Sequence, residues 1–273
     1  MQKRKAEPQI WGEDQGTRRR KERQRRQRRR RRQVLFWKTA GLLISGAVLL
    51  VSLQVLPGGK KAKEAYLLKN GYPESLIALY DRNPEARTFV LDYLKREQWE
   101  NSVDLSGEVV CGTIPLFLQW DERWGYETYG DDFLAVTGCG PTSLSMVYCG
   151  LTGDTWWNPG RMAQKAEDEG YYVEGAGSSW SLMTDGARSM GLTVEGVNLD
   201  RDSLETALKN QMPVICSVEP GDFTTEGHFL VMTGIDDAGK ISVNDPNSRK
   251  KSQKTWEIDR MLDQIKAMWA YRY

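Results

Sequence analysis

Histidine is almost missing from this chain of 273 residues, which has one, His228. A His-rich metal site is therefore excluded, and any chemistry that needs an imidazole has a single place to find it. Cysteine is scarce too, with four residues at wide spacing, Cys111, Cys139, Cys149 and Cys216. This spacing excludes a disulfide-dense secreted module and gives no zinc-binding pattern, so neither a metal nor another cofactor is expected. Net charge also looks absent, with 38 basic against 37 acidic groups. At roughly 150 residues per domain the length allows one ordinary domain plus appendages, which excludes a multi-domain machine.

The near-zero charge hides a strong polarity. Residues 1–33 hold fifteen Lys/Arg and four Asp/Glu, about +11, which leaves 23 basic and 33 acidic groups, about −10, in residues 34–273. Between Arg18 and Arg32, eleven Arg and one Lys are interrupted by Glu22, Gln24 and Gln27. Such a run repels itself and has no apolar residues to bury, so it stays solvated. By itself it reads as a nucleic-acid arm; the apolar stretch after it favours a membrane topology signal instead, and no nucleic-acid partner is expected.

From Val34 to Leu56 the sequence is VLFWKTAGLLISGAVLLVSLQVL, and its 18 residues from Thr39 to Leu56 carry no charge. As a helix they span about 27 Å, close to the thickness of a bilayer core. Trp37 and Lys38 suit the interface at the basic end, and Pro57-Gly58-Gly59 ends the helix at the other. The positive-inside rule then puts residues 1–33 in the cytoplasm and everything after Leu56 outside, with membrane lipids contacted by residues 34–56 and by the Arg-rich tail. A cleaved signal peptide is the rival, but the apolar segment is too long and no A-x-A-like site follows it. The expectation is an uncleaved, single-pass signal anchor.

Residues 57–106 read as a short helical stalk or linker. Leu67, Leu68, Leu76, Ile77, Leu79 and Tyr80 have helical spacing, Pro73 and Pro84 suit helix first turns, and Thr88 to Glu97 continues the pattern. The plain reading is a spacer that packs on the adjoining domain, residues 107–273.

In that domain Thr137-Gly138-Cys139-Gly140-Pro141-Thr142-Ser143-Leu144 marks the start of a helix. Pro141 suits the first turn, and Leu144, Val147, Tyr148 and Leu151 mark a buried face. Cys139 thus stands at the N-terminus of a buried helix, where unpaired N–H groups and the positive dipole end favour a thiolate. A structural cysteine fits the same position. His228 begins a strand-like run, Gly227 to Met232, followed by a turn at Asp236 to Gly239 and a second strand from Lys240 to Asn244 that ends in Asp245-Pro246. With a two- or four-residue loop, Asp237 or Ile235 lies opposite Lys240, and His228 shares a face with Asp245 rather than Asn244. An odd loop reverses this. A buried core histidine is one reading of His228; a member of a Cys-His-Asp relay is the other.

Taken together, Q-W-D-E-R-W-G (119–125), Y-G (129–130), T-G-C-G-P-T-S-L (137–144), G-H-F-L-V-M-T-G (227–234) and V-N-D-P (243–246) resemble the papain-clan cysteine peptidases of family 39. The best-known members of that family cut double-glycine leaders from bacteriocins. The resemblance covers roughly residues 110–273. It implies an α+β papain-like fold in which a nucleophile helix packs on an antiparallel sheet. It also implies Cys139 as nucleophile, His228 as base and then acid, Asp245 as the group orienting the imidazole, and Gln119 as an oxyanion-hole donor. Asn244 is the alternative to Asp245, because related papain-type enzymes use Asn there. Gln119 precedes Cys139 by twenty residues, as in the stand-alone members; transporter-fused leader peptidases place it closer, so leader cleavage coupled to export is not implied. The expected partner is a peptide or protein substrate. Rival readings keep the fold and change the chemistry: an amidase or transpeptidase on cell-wall peptides, or a non-catalytic peptide-binding module.

Other residues read as structural. Cys149 and Cys216 fit buried apolar positions, while Cys111 is free to pair with one of them outside the cell. Trp120, Trp124, Trp156, Trp157 and Trp180 fit core packing or a cleft wall. Asp202 with Glu205 has the spacing of a capping box for a helix from Ser203 to Asn210.

Overall fold

The computed structural model describes residues 59–98 and 103–273. The expected Arg-rich tail and signal anchor, residues 1–56, lie outside the described residues. Among the described residues no helix is long and apolar enough to cross a membrane.

Helices α1 (Gly59–Lys69), α2 (Glu74–Arg82) and α3 (Arg87–Asp92) come first, and 3₁₀ turns run over Pro84–Ala86 and Tyr93–Gln98. Pro73 is the N-cap of α2 and Pro84 opens its 3₁₀ turn, so both prolines sit where a missing N–H costs nothing. Leu67, Leu76, Ile77, Leu79, Tyr80, Phe89, Val90 and Leu91 are buried. This segment packs on the rest of the chain. Tyr126 stacks on Phe89 at 4.2 Å and donates its hydroxyl to the Phe89 carbonyl, while Ser75 donates to Asp132 at 2.7 Å. The described residues, 59–98 and 103–273, form one compact unit.

Next come the hairpin β1 (Thr128–Tyr129) and β2 (Asp132–Phe133), the one-turn helix α4 (Leu134–Thr137), α5 (Cys139–Thr152) and α6 (Pro159–Asp168). The remaining elements are β3 (Tyr172–Val173), β4 (Gly177–Ser178), a π-helical turn (Leu182–Gly186), α7 (Ala187–Ser189), β5 (Thr193–Val197), α8 (Arg201–Lys209), β6 (Val214–Val218), β7 (His228–Ile235), β8 (Lys240–Asn244), α9 (Arg249–Ser252), β9 (Thr255–Glu257), α10 (Ile258–Leu262) and β10 (Ile265–Arg272). Six strands form one sheet in the order β5-β10-β6-β7-β8-β9, and every pairing is antiparallel. One face carries a core with Leu144, Met146 and Val147 of α5, Met162 and Ala163 of α6, and Phe229 and Val231 of β7. The other carries Leu204 and Leu208 of α8 and Met261 of α10 against Leu230 and Met232 of β7. The alternation of β7 supplies both cores, as a strand buried on two faces must.

Three local expectations need correction. Helix α5 buries more than a stripe: Thr142, Ser143, Ser145, Met146, Cys149 and Gly150 are buried along with Leu144 and Val147, whereas Tyr148 and Leu151 are only partly covered. The helix lies inside the domain, so its small polar residues replace a solvent face. Helix α8 starts at Arg201, and its N-cap is Asp200, whose carboxylate accepts from the Ser203 N–H at 2.8 Å and its hydroxyl at 2.9 Å. Asp202 is therefore inside the first turn, and Glu205 pairs with Arg201 and Lys209 instead of closing a box. In the β7–β8 hairpin Ile235 pairs with Ile241 rather than lying opposite Lys240. Continued unchanged, that odd register would bring Asn244 to the face of His228. The register shifts between Met232 and Gly234, so Thr233 is an extra residue, and Met232 then pairs with Val243 and Val231 with Asn244. The bulge restores the face shared by His228 and Asp245.

Gly140 shows how closely α5 is fitted. A Cβ there would lie 2.4 Å from Ser178 Oγ and 2.7 Å from Ser178 Cβ. Gly140→Ala is expected to lower stability by about 1–3 kcal/mol through overpacking, read as a fall in the denaturation midpoint at constant m-value.

Candidate active site

Cys139 is the first residue of α5, and the N-cap Gly138 leaves its N-terminus free of any capping side chain. The first N–H groups of a helix have no partner within it, so this sulfur sits in a field that favours negative charge. Its side chain is partly exposed and makes a hydrogen bond with His228, and the backbone N–H groups of Phe229 and Gly140 point at it as well.

His228 begins β7, paired across to Val218 at the end of β6, and is 7% exposed. Its Nε2 lies 2.8 Å from Asp245 Oδ1. With Nε2 committed to the carboxylate, Nδ1 is left for the sulfur. Asp245 follows the last residue of β8 and is completely buried. The same Oδ1 accepts the Asn247 N–H at 2.8 Å, an Asx-turn that holds the carboxylate against its own backbone. Ser252 Oγ accepts the Asp245 N–H at 2.9 Å. Oδ2 has no hydrogen-bond partner, and Lys251 Nζ stands 4.0 Å away. Asn244 turns elsewhere: its side-chain amide donates to the carbonyls of Ile114 at 3.1 Å and Pro115 at 3.0 Å. The structure thus brings Cys139, His228 and Asp245 together and leaves Asn244 apart.

Gln119 is buried beside the turn that leads into α5. Its Nε2 donates to Ala135 O at 2.9 Å and, weakly, to Val136 O at 3.4 Å, while Oε1 has no partner. The backbone N–H of Gln119 donates to Pro246 O at 2.8 Å, which ties this segment to the Asp245 turn.

Burial disfavours charge on both Cys139 and His228, but their neighbours outweigh it. For His228, the Asp245 carboxylate and the Cys139 sulfur push the pKa from 6.5 up to about 10. For Cys139, His228 and the two backbone donors hold the thiol below its ordinary 9.0. Each shift is a statement about the other: the arrangement favours a thiolate–imidazolium pair. The other thiols differ. Burial pushes Cys149 up to about 12 and Cys216 higher still, Cys111 is exposed, and all four cysteines are free.

The tryptophans divide. Trp124 is core, 1% exposed, with Nε1 donating to Leu118 O at 2.8 Å. Trp120 is half-buried and donates to Asn247 O at 3.1 Å, so it belongs to the Asp245 turn. Trp157 packs against the core, Trp156 lies exposed under the Arg161 guanidinium, and Trp180 stands on Trp269 edge-to-face at 5.7 Å. Residues overlooked in the sequence are Asn247, Ser252 and the Phe229 N–H. Of these only Asn247 had a signal, the Asp-Pro-Asn turn pattern. Among the described residues no group of three or more His, Cys, Asp or Glu converges as a metal site.

The signs of the two shifts fix a pH dependence. Stability from the raised His228 is full below pH 6.5 and is lost as pH rises through about 10; stability from the lowered Cys139 is full above pH 9.0 and is lost as pH falls through its folded value. In the window between, thiolate and imidazolium coexist. An ordinary thiol of pKa 9.0 is about 1% thiolate at pH 7, so Cys139, held below that value, is expected to be alkylated faster than an ordinary thiol at that pH. Cys139→Ala supplies the background from exposed Cys111. In His228→Ala burial is opposed only by the two backbone donors, and the pH profile should move upward.

A model of the Peptidase_C39 like family matches residues 112–273, the stretch that carries Gln119, Cys139, His228 and Asp245. No curated protein matches the chain. The match covers more than half of the 273 residues and the mixed helix-and-sheet fold agrees with it, so the chain belongs to the Peptidase_C39 like family, a peptidase-like group of papain-like fold.

Proposed function

We propose that this protein is a cysteine peptidase that hydrolyses peptide bonds with Cys139, His228 and Asp245. The observation that carries the reading is the placement of the chain's only histidine between a buried carboxylate and a cysteine at a helix N-terminus. Thiolate Cys139 attacks the scissile carbonyl carbon and forms a C–S bond while the carbonyl π pair moves onto oxygen. His228, as imidazolium, gives its proton to the leaving amine as the C–N bond breaks, which leaves a thioester. Neutral His228 then takes a proton from water, the hydroxide attacks the thioester, and the carboxylic acid departs as the thiolate re-forms. Asp245 holds the ring in the orientation that both transfers need. Gln119 assists the oxyanion by exchanging its long contact with Val136 for the substrate oxygen, alongside the Cys139 backbone N–H.

The reading extends to location. A basic tail, an 18-residue uncharged stretch and an acidic remainder support a single-pass anchor with the peptidase outside the cell. The bacteriocin-processing members of the family suggest a peptide substrate, though nothing ties this chain to double-glycine leaders.

Incubation of the full-length chain with a diverse peptide library, followed by mass spectrometry, tests the chemistry. Cleavage is expected, lost in Cys139→Ala, reduced by about 10²–10⁴ in His228→Ala and by about 10²–10³ in Gln119→Ala. Turnover of cell-wall peptides with amine transfer would replace hydrolysis by a transpeptidase reading, and retention of peptides by a protein without turnover would leave a binding module. Protease added to intact cells should degrade residues 59–273; their protection would overturn the external placement.

A further inference from the structure

Residues 59–98 lie outside the region matched by the family, yet they reach the turn that carries Asp245. Asn83 is 8% exposed and uses every polar atom of its side chain: Nδ2 donates to Asn247 O and to Asn247 Oδ1, both at 2.8 Å, and Oδ1 accepts the Glu85 N–H at 2.9 Å. Glu85 is half-buried, and its carboxylate accepts the Ser248 hydroxyl at 2.5 Å and the Lys250 N–H at 3.1 Å. Both contacts fall on the residues that hold the carboxylate. Asn247 donates its N–H to the very oxygen that faces His228, and the Ser248 N–H donates to Asp245 O at 3.1 Å. On the far side the turn is held by Trp120 Nε1 to Asn247 O and by the Gln119 N–H to Pro246 O.

We propose that Asn83 and Glu85 are positioning residues for Asp245, and through it for His228, so that the helical segment before the family region is part of the catalytic unit. This rests on the peptidase reading for its consequence, though the contacts themselves do not. The turn is short and buried, and the carboxylate has a fixed aim only while the Asn247 N–H points at Oδ1. Two anchors from one segment and two from another prevent the turn from rotating about its Pro246 corner. Without the first pair, Asn247 and Ser248 are left to water, and the Asx-turn opens part of the time. His228 then loses its oriented partner in that fraction, while the sheet, α5 and both cores stay as they are. Glu85 and Asn83 touch neither the sulfur nor the imidazole. Besides Asp245 and Cys139, the charged group close to this ring's partner is Lys251 at 4.0 Å, which substitution of Asn83 and Glu85 leaves in place.

Because the chain holds one histidine, ¹⁵N-histidine labelling gives His228 ring signals without assignment. Full-length Asn83→Ala/Glu85→Ala should keep its circular dichroism spectrum, lower the His228 ring pKa by about one unit and slow Cys139 alkylation at pH 7 about tenfold. Glu85→Gln, whose amide oxygen still accepts from Ser248, should recover most of the loss. Ser75→Ala removes a bond from the same segment to Asp132, away from this turn, and should change neither readout. An unchanged ring pKa and alkylation profile in a folded double variant would overturn the proposal. If that variant does not fold, the same two measurements on Asn83→Ala alone decide, with no change again overturning it. The ring titration needs no turnover. A parent whose ring pKa is raised but which cleaves no peptide sinks the peptidase reading alone; cleavage that is indifferent to both residues sinks the positioning role alone.

Discussion

A fully buried carboxylate is the constraint around which this domain is arranged. Asp245 has no solvent contact, and a charge taken out of water is tolerated only with fixed partners. Oδ1 has two, the His228 ring and the Asn247 N–H, both at 2.8 Å, and Oδ2 has only the more distant Lys251. The imidazolium form of His228 is therefore the state the site favours, because a neutral ring would leave the carboxylate with Lys251, 4.0 Å from Oδ2, as its nearby counter-charge. Since the ring also faces Cys139, the demand for a cation is passed on as a demand for a thiolate. The charge on the sulfur is thus favoured by the burial of an aspartate just past the end of β8.

Meeting that demand depends on register. His228 begins β7 and Asp245 directly follows its neighbour β8, and a slip of one residue would replace Asp245 by Asn244 on the relevant face. The hairpin tip has the wrong parity, and the extra residue Thr233 corrects it before the strands reach the site. Asn244, turned the other way, donates to Ile114 and Pro115 and so fixes the segment leading to Gln119. Adjacent residues of one strand thus serve opposite faces, one orienting the imidazole and the other anchoring the segment that bounds the site.

Much of this was legible in the sequence, and the exceptions have a common cause. Local signals worked: Gly-Pro around Cys139 marked a helix start, and the β7 and β8 strands were visible from their apolar runs. The pairing of His228 with Asp245 was reached through an even-loop argument whose premise is wrong at the tip, and a bulge with no sequence mark restored the outcome. The capping box failed because the helix starts two residues earlier, with Asp200 as its N-cap. That α5 is a buried helix was legible, but not that it is buried well beyond one face, since its Thr and Ser residues look polar in one dimension and are buried in three. Contacts at long sequence separation, such as Asn83 with Asn247, leave no periodicity to read.

The four cysteines show most directly that the site is made by environment and not by residue type. Cys149 and Cys139 share one helix, yet burial lifts Cys149 to about 12 while Cys139 is held below 9.0. Cys216 lies within β6, whose neighbour β7 begins with His228, and is pushed up by burial and by the charge of Asp245. The carboxylate that raises Cys216 directly lowers Cys139 through the imidazolium between them. One buried anion thus separates two thiols in opposite directions, and the placement of a single histidine decides which of them is activated.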